Sequence, residues 1–157
     1  MPKITALIHT LNDSLRIGRT LDSLRACDQV LVIDHGSKDN TEKIARDHGA
    51  TFKKGIPGVD HGTYAVDSNN DWILCLCSNE SLSEELEASL FEWKEHEYND
   101  EVGFNLRVRE EADGRWSIHD PETRLVNKDK MNWTGDLPPT TSVNGEIKGY
   151  ILKFQNP

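Results

Sequence analysis

VLVIDHGSKDNT, residues 30–41, carries the pattern that decides the fold. Residues 30–33 are an unbroken apolar run, mostly β-branched, as in a strand buried on both faces. Asp34 closes the run, and His35-Gly36-Ser37 supply a turn in which Gly36 can take positive φ. Asp39 and Asn40 stand where a helix N-cap belongs, ahead of Thr41-Glu42-Lys43-Ile44-Ala45. A carboxylate at the C-terminal end of a buried parallel strand projects into the crevice where open α/β sheets bind ligands. Asp34 could there accept hydrogen bonds from a nucleotide base or ribose. Capping its own turn is the competing use.

Working outward, residues 4–8 read as a first strand that closes in the polar turn His9-Thr10-Leu11-Asn12. Leu15, Ile17, Leu21 and Leu24 trace an apolar helical face, with Asn12 or Asp13 as its cap. The helix of residues 41–48 stops at Gly49, and residues 50–53 form a short third strand. Residues 55–62 read as loop, 63–68 as a weak helix, and 72–76 as a fourth strand. This alternation predicts an α/β fold with a mainly parallel sheet covered on both faces. Right-handed crossovers bring the strand C-termini to one edge, so Thr10, Asp34 and residues 77–80 should meet.

Beyond residue 80 the pattern changes. Ser83 caps a helix with Leu86, Leu90 and Trp93 on one face, while Glu84, Glu85, Glu87 and Glu92 are expected to face water. Val102, Phe104, Leu106 and Val108 alternate with polar residues, a half-buried antiparallel strand. Ala112-Asp113-Gly114 is a hairpin turn leading to Trp116 and Ile118. Residues 123–127 and 149–154 read as strands, and 136–145 as loop. One domain is expected over residues 1–157, with a ligand-binding half (1–95) and a smaller antiparallel half (96–157).

A formal net charge of −9 argues against a nucleic-acid or anionic-membrane surface, which needs clustered Lys and Arg. No apolar run approaches the roughly 20 residues of a transmembrane helix. The opening MPKITALIHT moves straight into a strand pattern with no signal-peptide core. With an odd count of three cysteines, this favours reduced thiols and a cytoplasmic location.

Residues 4–95 resemble the family 2 glycosyltransferases, which have the GT-A nucleotide-diphospho-sugar fold, and most closely those that extend lipopolysaccharide core sugars. The resemblance rests on ITALIHTLN (4–12), DQVLVIDHGSKDNT (28–41), IARDHG (44–49) and DWILCLCSNESLSEEL (71–86). RLVNKDKMNWTG (124–135) and IKGYILKF (147–154) continue it more weakly. It implies a GT-A sandwich with a mainly parallel central sheet and a smaller antiparallel C-terminal part. It also implies a UDP-type nucleotide sugar as ligand, held around Thr10, Asn12, Asp34 and Gly36. The family usually has Pro in the first turn, where this chain has His9.

The same resemblance exposes departures. The family neutralises the departing diphosphate with Mg²⁺ or Mn²⁺ held by a D-x-D motif ending the fourth strand. Those hard ions want carboxylate oxygens, but the matching positions here are Cys77, Ser78 and Asn79, with Glu80 the remaining charge. The general base expected beyond Trp133-Thr134-Gly135 falls in register on Pro139-Thr140, neither of which can serve. Asp136 and Asp120 are the nearby substitutes. An Arg-Asn pair of the family is replaced by Gly62-Thr63-Tyr64-Ala65, and the acceptor-binding segment of longer relatives is expected to be missing.

The sum is a protein built to bind a nucleotide sugar, with hexosyl transfer reduced or lost. A regulatory pseudoenzyme that binds a nucleotide, or an interaction module without a small ligand, are the alternatives. No cofactor is expected, Mg²⁺ or Mn²⁺ entering only alongside residual activity. A homo-oligomer is compatible with the sequence.

Two other constellations bear on the site. Cys75 and Cys77 share a strand face and, with His35 or His61, could bind zinc. A buried Cys75 packing as a small apolar side chain, with Cys77 at the strand end, is favoured, since C-x-C alone lacks a four-ligand spacing. His9 and His35 lie in turns that should line the crevice, able to contact a phosphate, with solvated turn residues the simpler reading. Trp116 and Trp133 are expected in the core.

Overall fold

A computed structural model describes residues 1–156. The first half follows the expected alternation: β1 (Ile4–Thr10), α1 (Ile17–Asp22), β2 (Gln29–Asp34), α2 (Thr41–Asp47), β3 (Thr51–Lys54) and β4 (Trp72–Cys77). The weak helix expected at 63–68 is a 3-10 helix, His61–Asp67. After β4 come β5 (Glu80–Leu82), α3 (Glu84–Trp93), β6 (Gly103–Ala112), β7 (Arg115–Ile118), β8 (Glu122–Asn127) and β9 (Glu146–Phe154).

The strands form one sheet in the order β3-β2-β1-β4-β8-β6-β9-β5, with β7 paired to β6. β3, β2, β1 and β4 run parallel, and β8 joins β4 antiparallel. β5 follows β4 directly in the chain yet closes the far end of the order, pairing with β9, so the sheet curls back on itself. The C-terminal part is not purely antiparallel, because β9 runs parallel to β6.

Strand alternation gives this sheet two buried faces. Ile4, Ala6, Ile8, Val32 and Leu74 face Ile17 and Leu21 of α1 and Leu86, Leu90 and Trp93 of α3. Leu7, Leu31, Ile33, Ile73 and Cys75 face the 3-10 helix and Trp133. Four sequence expectations change here. Leu15 lies before α1 and is 77% exposed, because the helix begins only at Ile17. α1 takes neither Asn12 nor Asp13 as its cap: the N-cap is Arg16, while the Asp13 carbonyl accepts the Arg16 and Ile17 amides. Glu87 is buried rather than solvated, because Arg25 clamps its carboxylate at 2.9 and 3.1 Å. Trp116 stays 41% exposed on β7, under the Arg109 guanidinium and edge-on to Phe154. Trp133 is buried as expected.

Candidate functional site

The strand order reverses beside β1, which lies between β2 and β4, and open α/β sheets bind ligands outside the strand C-termini at such a point. A cleft of about 380 Å³ occupies that position. Thr10 and Leu11 after β1, His35 after β2, and Cys77, Ser78 and Asn79 after β4 line it. His9, Asp13, Arg16, His61 and Asp136 complete the wall.

The strand period decides which side chains meet. His9, His35 and Cys77 continue the face of Leu7, Ile33 and Cys75 toward the 3-10 helix. Thr10, Asp34 and Ser78 fall on the opposite face, toward α1. There Ser78 donates to the Asp13 carboxylate, which also pairs with Arg16 at 2.5 Å. Arg16 is thus the cation of the cleft, held by Asp13 and by the Gln155 carbonyl at 3.3 Å.

Asp34 is 5% exposed and works within its own turn. Its carboxylate accepts from the Gly36 and Ser37 amides at 3.3 and 2.9 Å, and from the Ser37 hydroxyl. Gly36 sits at φ 110°, the left-handed backbone this turn demands. Asn12, at φ 54°, ties the first turn to the second: its amide donates to Ser37 Oγ and its Oδ1 accepts from the Lys38 amide. Asn40 is the N-cap of α2 but makes no side-chain cap bond; Asp39 before it accepts from the Thr41 amide and hydroxyl instead. These bonds hold the Asp39 carboxyl well down, at about 2, with the Thr41 hydroxyl the largest cause.

Glu80 is not in the cleft. It is fully buried and forms a two-pronged pair with Arg124, both contacts at 2.8 Å, while also accepting from the Cys77 amide. Burial alone would raise its carboxyl, but the guanidinium and the Cys77 amide more than offset this and hold it below 4.5. Cys77 is partly buried and its thiol is pushed up to about 12 by burial and by Glu80. It is therefore a protonated thiol, neither nucleophile nor hard-ion ligand. Cys75 is wholly buried and likewise pushed up to about 12.

Three histidines form the other wall. His9 and His35 stack at 5.1 Å between ring centroids, His9 and His61 at 4.6 Å, and His35 and His61 at 4.1 Å. His9 Nδ1 meets His35 Nε2 at 2.9 Å, and His61 Nδ1 bonds the Asp136 carboxylate. Burial drives the His9 pKa down to about 4, against the pull of Asp136 and with help from the neighbouring imidazoles. His35 is lowered as well, mainly by burial. Near neutral pH His9 and His35 are therefore uncharged nitrogen donors, not phosphate-binding cations.

So Thr10 and residues 77–79 converge on the cleft, while the Asp34 and Glu80 carboxylates are engaged elsewhere. Asp136 does reach the cleft, through His61. Sequence reasoning passed over Arg16, Asp13 and Arg124. The one available signal was for Arg16, whose place just after the first turn puts it at the strand edge.

No family model matches the chain. It is 29% identical over 151 residues to an uncharacterized glycosyltransferase of Rickettsia prowazekii, a match covering 90% of this chain and 52% of that protein. An uncharacterized glycosyltransferase of Rickettsia bellii is 32% identical over 149 residues, covering 88% of this chain and 51% of the relative. The chain spans about half the length of the curated relatives it matches. Among solved structures, S. aureus TarS (1–349) aligns with a TM-score of 0.69 over 97% of this chain and 60% of that one, at 15% identity, a likeness of fold. No helix among the described residues is long and apolar enough to cross a membrane. In sequence the chain is similar to these uncharacterized glycosyltransferases, and its curled mixed sheet is the GT-A fold that TarS also has.

Proposed function

We propose that the cleft binds a nucleoside-diphosphate sugar, UDP-type, and that hexosyl transfer from it is reduced or lost. The observation that carries this reading is the end of β4. Cys77 and Asn79 stand in the cleft wall where a hard cation would need two carboxylates, and Glu80 is committed to Arg124. Without that cation, charge developing on a departing diphosphate has only Arg16 to meet it, and Arg16 is already paired with Asp13. In this reading Thr10, Asn12, Asp34 and Gly36 border the base and ribose. Asn12 acts chiefly by fixing the two turns against each other, and Asp34 by holding the second turn in shape. Asp136 is the carboxylate nearest to a general base, though it is shared with His61.

The test is a panel of UDP, GDP and TDP sugars, run with Mn²⁺ or with EDTA and followed by melting temperature and by release of free sugar. The expected outcome is stabilisation by UDP or a UDP-sugar that survives EDTA, without turnover. Mn²⁺-dependent transfer would overturn the loss of activity. Indifference to every nucleotide would overturn the binding role.

A further inference from the structure

The histidine wall has no part in nucleotide-sugar chemistry as proposed, yet it is built with care. His9, His35 and His61 come from three separate elements. Each brings one ring nitrogen to a group whose members all lie within 4.8 Å of one another. We propose that these three imidazoles form a binding site for a zinc-class transition-metal dication, with its remaining coordination position open to the cleft.

Four observations carry this. The first is the contact itself: His9 Nδ1 and His35 Nε2 face each other at 2.9 Å, where two lone-pair-bearing nitrogens can share only one proton. Tetrahedral zinc, at 2.0–2.1 Å from each nitrogen, sets ligand nitrogens about 3.3 Å apart, so this pair needs to part only slightly, with the near-parallel rings turning their edges to the ion.

The second is burial. His9 is only 6% exposed, and Nδ1, which meets His35, is the nitrogen it turns to the cluster. Its Nε2 is buried without a hydrogen-bond partner and takes no part in the donor set.

The third is the outer support. His61 Nδ1 is bonded to the Asp136 carboxylate, which fixes the ring and leaves Nε2 as the donor, the carboxylate–histidine arrangement usual behind metal-binding imidazoles. On His35 the Nδ1 edge packs on Gly55, where a Cβ would lie 2.5 Å from that nitrogen, so Nε2 is the atom turned inward.

The fourth is anchoring. His9 is paired on both sides within the parallel sheet, the His35 amide donates to the Thr10 carbonyl at 2.9 Å, and the His61 amide donates to the Thr134 carbonyl at 2.9 Å. The donors therefore sit on backbone that is already fixed. Imidazole suits zinc, copper or nickel and is a poor choice for Mg²⁺, so this site would not restore the missing carboxylate cage. The inference needs no nucleotide and stands apart from the function proposed above.

The experiment uses the full chain, tag removed and metal-stripped, titrated with Co²⁺ and then displaced by Zn²⁺, with bound zinc counted by equilibrium dialysis. One equivalent is expected, with the visible d–d bands of low-coordinate cobalt. His35→Gln and His61→Gln, both at partly exposed positions and checked for folding by circular dichroism, should lose it. Asp136→Asn should weaken binding about 10–100-fold. Cys77→Ser should bind as the unsubstituted chain does. The proposal is overturned by absence of cobalt bands and bound zinc in the unsubstituted chain. Zinc retained by the doubly substituted His35→Gln/His61→Gln chain, or lost in Cys77→Ser, overturns it equally.

Discussion

Two groups of ionisable side chains flank the C-terminal end of β4, and they are finished in opposite ways. On the inner side Glu80 and Arg124 are sealed from water, and each oxygen of the carboxylate meets a nitrogen of the guanidinium at 2.8 Å. Arg124 also reaches the Cys75 carbonyl, and Glu80 takes the Cys77 amide. On the cleft side three imidazoles are gathered with one nitrogen unmatched. A closed polar cluster secures the strands that carry it. An open one at the rim of the cleft leaves a place for something else to sit.

The comparison can be broken most forcefully at the closed end. Glu80→Ala strands a buried guanidinium and should lower stability by about 3–5 kcal/mol in urea unfolding. Replacing both partners, Glu80→Leu with Arg124→Met, should recover most of that loss. If the single substitution is as mild as the double one, the sealed pair is not what secures β4, β5 and β8.

Next comes the seam that places His61. A Cβ on Gly62 would run into the Trp133 carbonyl, so Gly62→Ala must push the 3-10 helix and the 133–136 loop apart. Overpacking of this kind costs about 1–3 kcal/mol, and the substitution should also remove cobalt binding without touching an imidazole. On the other face of the sheet, Thr10→Val should abolish the melting shift by UDP while leaving the unliganded melting temperature nearly unchanged.

The mildest effect is on acid stability. Glu80 and Asp39 are both held below their ordinary values, so their contributions are complete above pH 4.5 and 3.8 and are lost as pH falls. For Asp39 the loss extends down through about pH 2. Asp39→Asn should flatten that part of a pH–stability curve; an unaltered slope would argue that the Thr41 cap contributes nothing.

Much of the fold was legible because its determinants are local. The β2 run, the α3 cap at Ser83 and the alternation at Phe104, Leu106 and Val108 each follow from neighbours in sequence. Ser83 Oγ does accept from the Leu86 amide, as the pattern required. What was not legible depends on distant partners. Glu87 is buried because Arg25 reaches it, and β9 runs parallel to β6 while β5 pairs with its other edge. The histidines were half legible. Period-2 alternation from Leu7 to His9 and from Ile33 to His35 puts both on one face, but nothing local brings His61 across to them. Glu80 looked like a surviving cleft carboxylate until Arg124 was seen beneath it.

The antiparallel seat of β8 on β4 reaches beyond the cleft. A fragment ending near residue 95 would leave Trp72, Ile73 and Leu74 without their β8 partners along an apolar border, an invitation to strand-by-strand polymerisation. The later part of the chain thus acts as a hem, without which the portion that carries the cleft should come out of solution as aggregate.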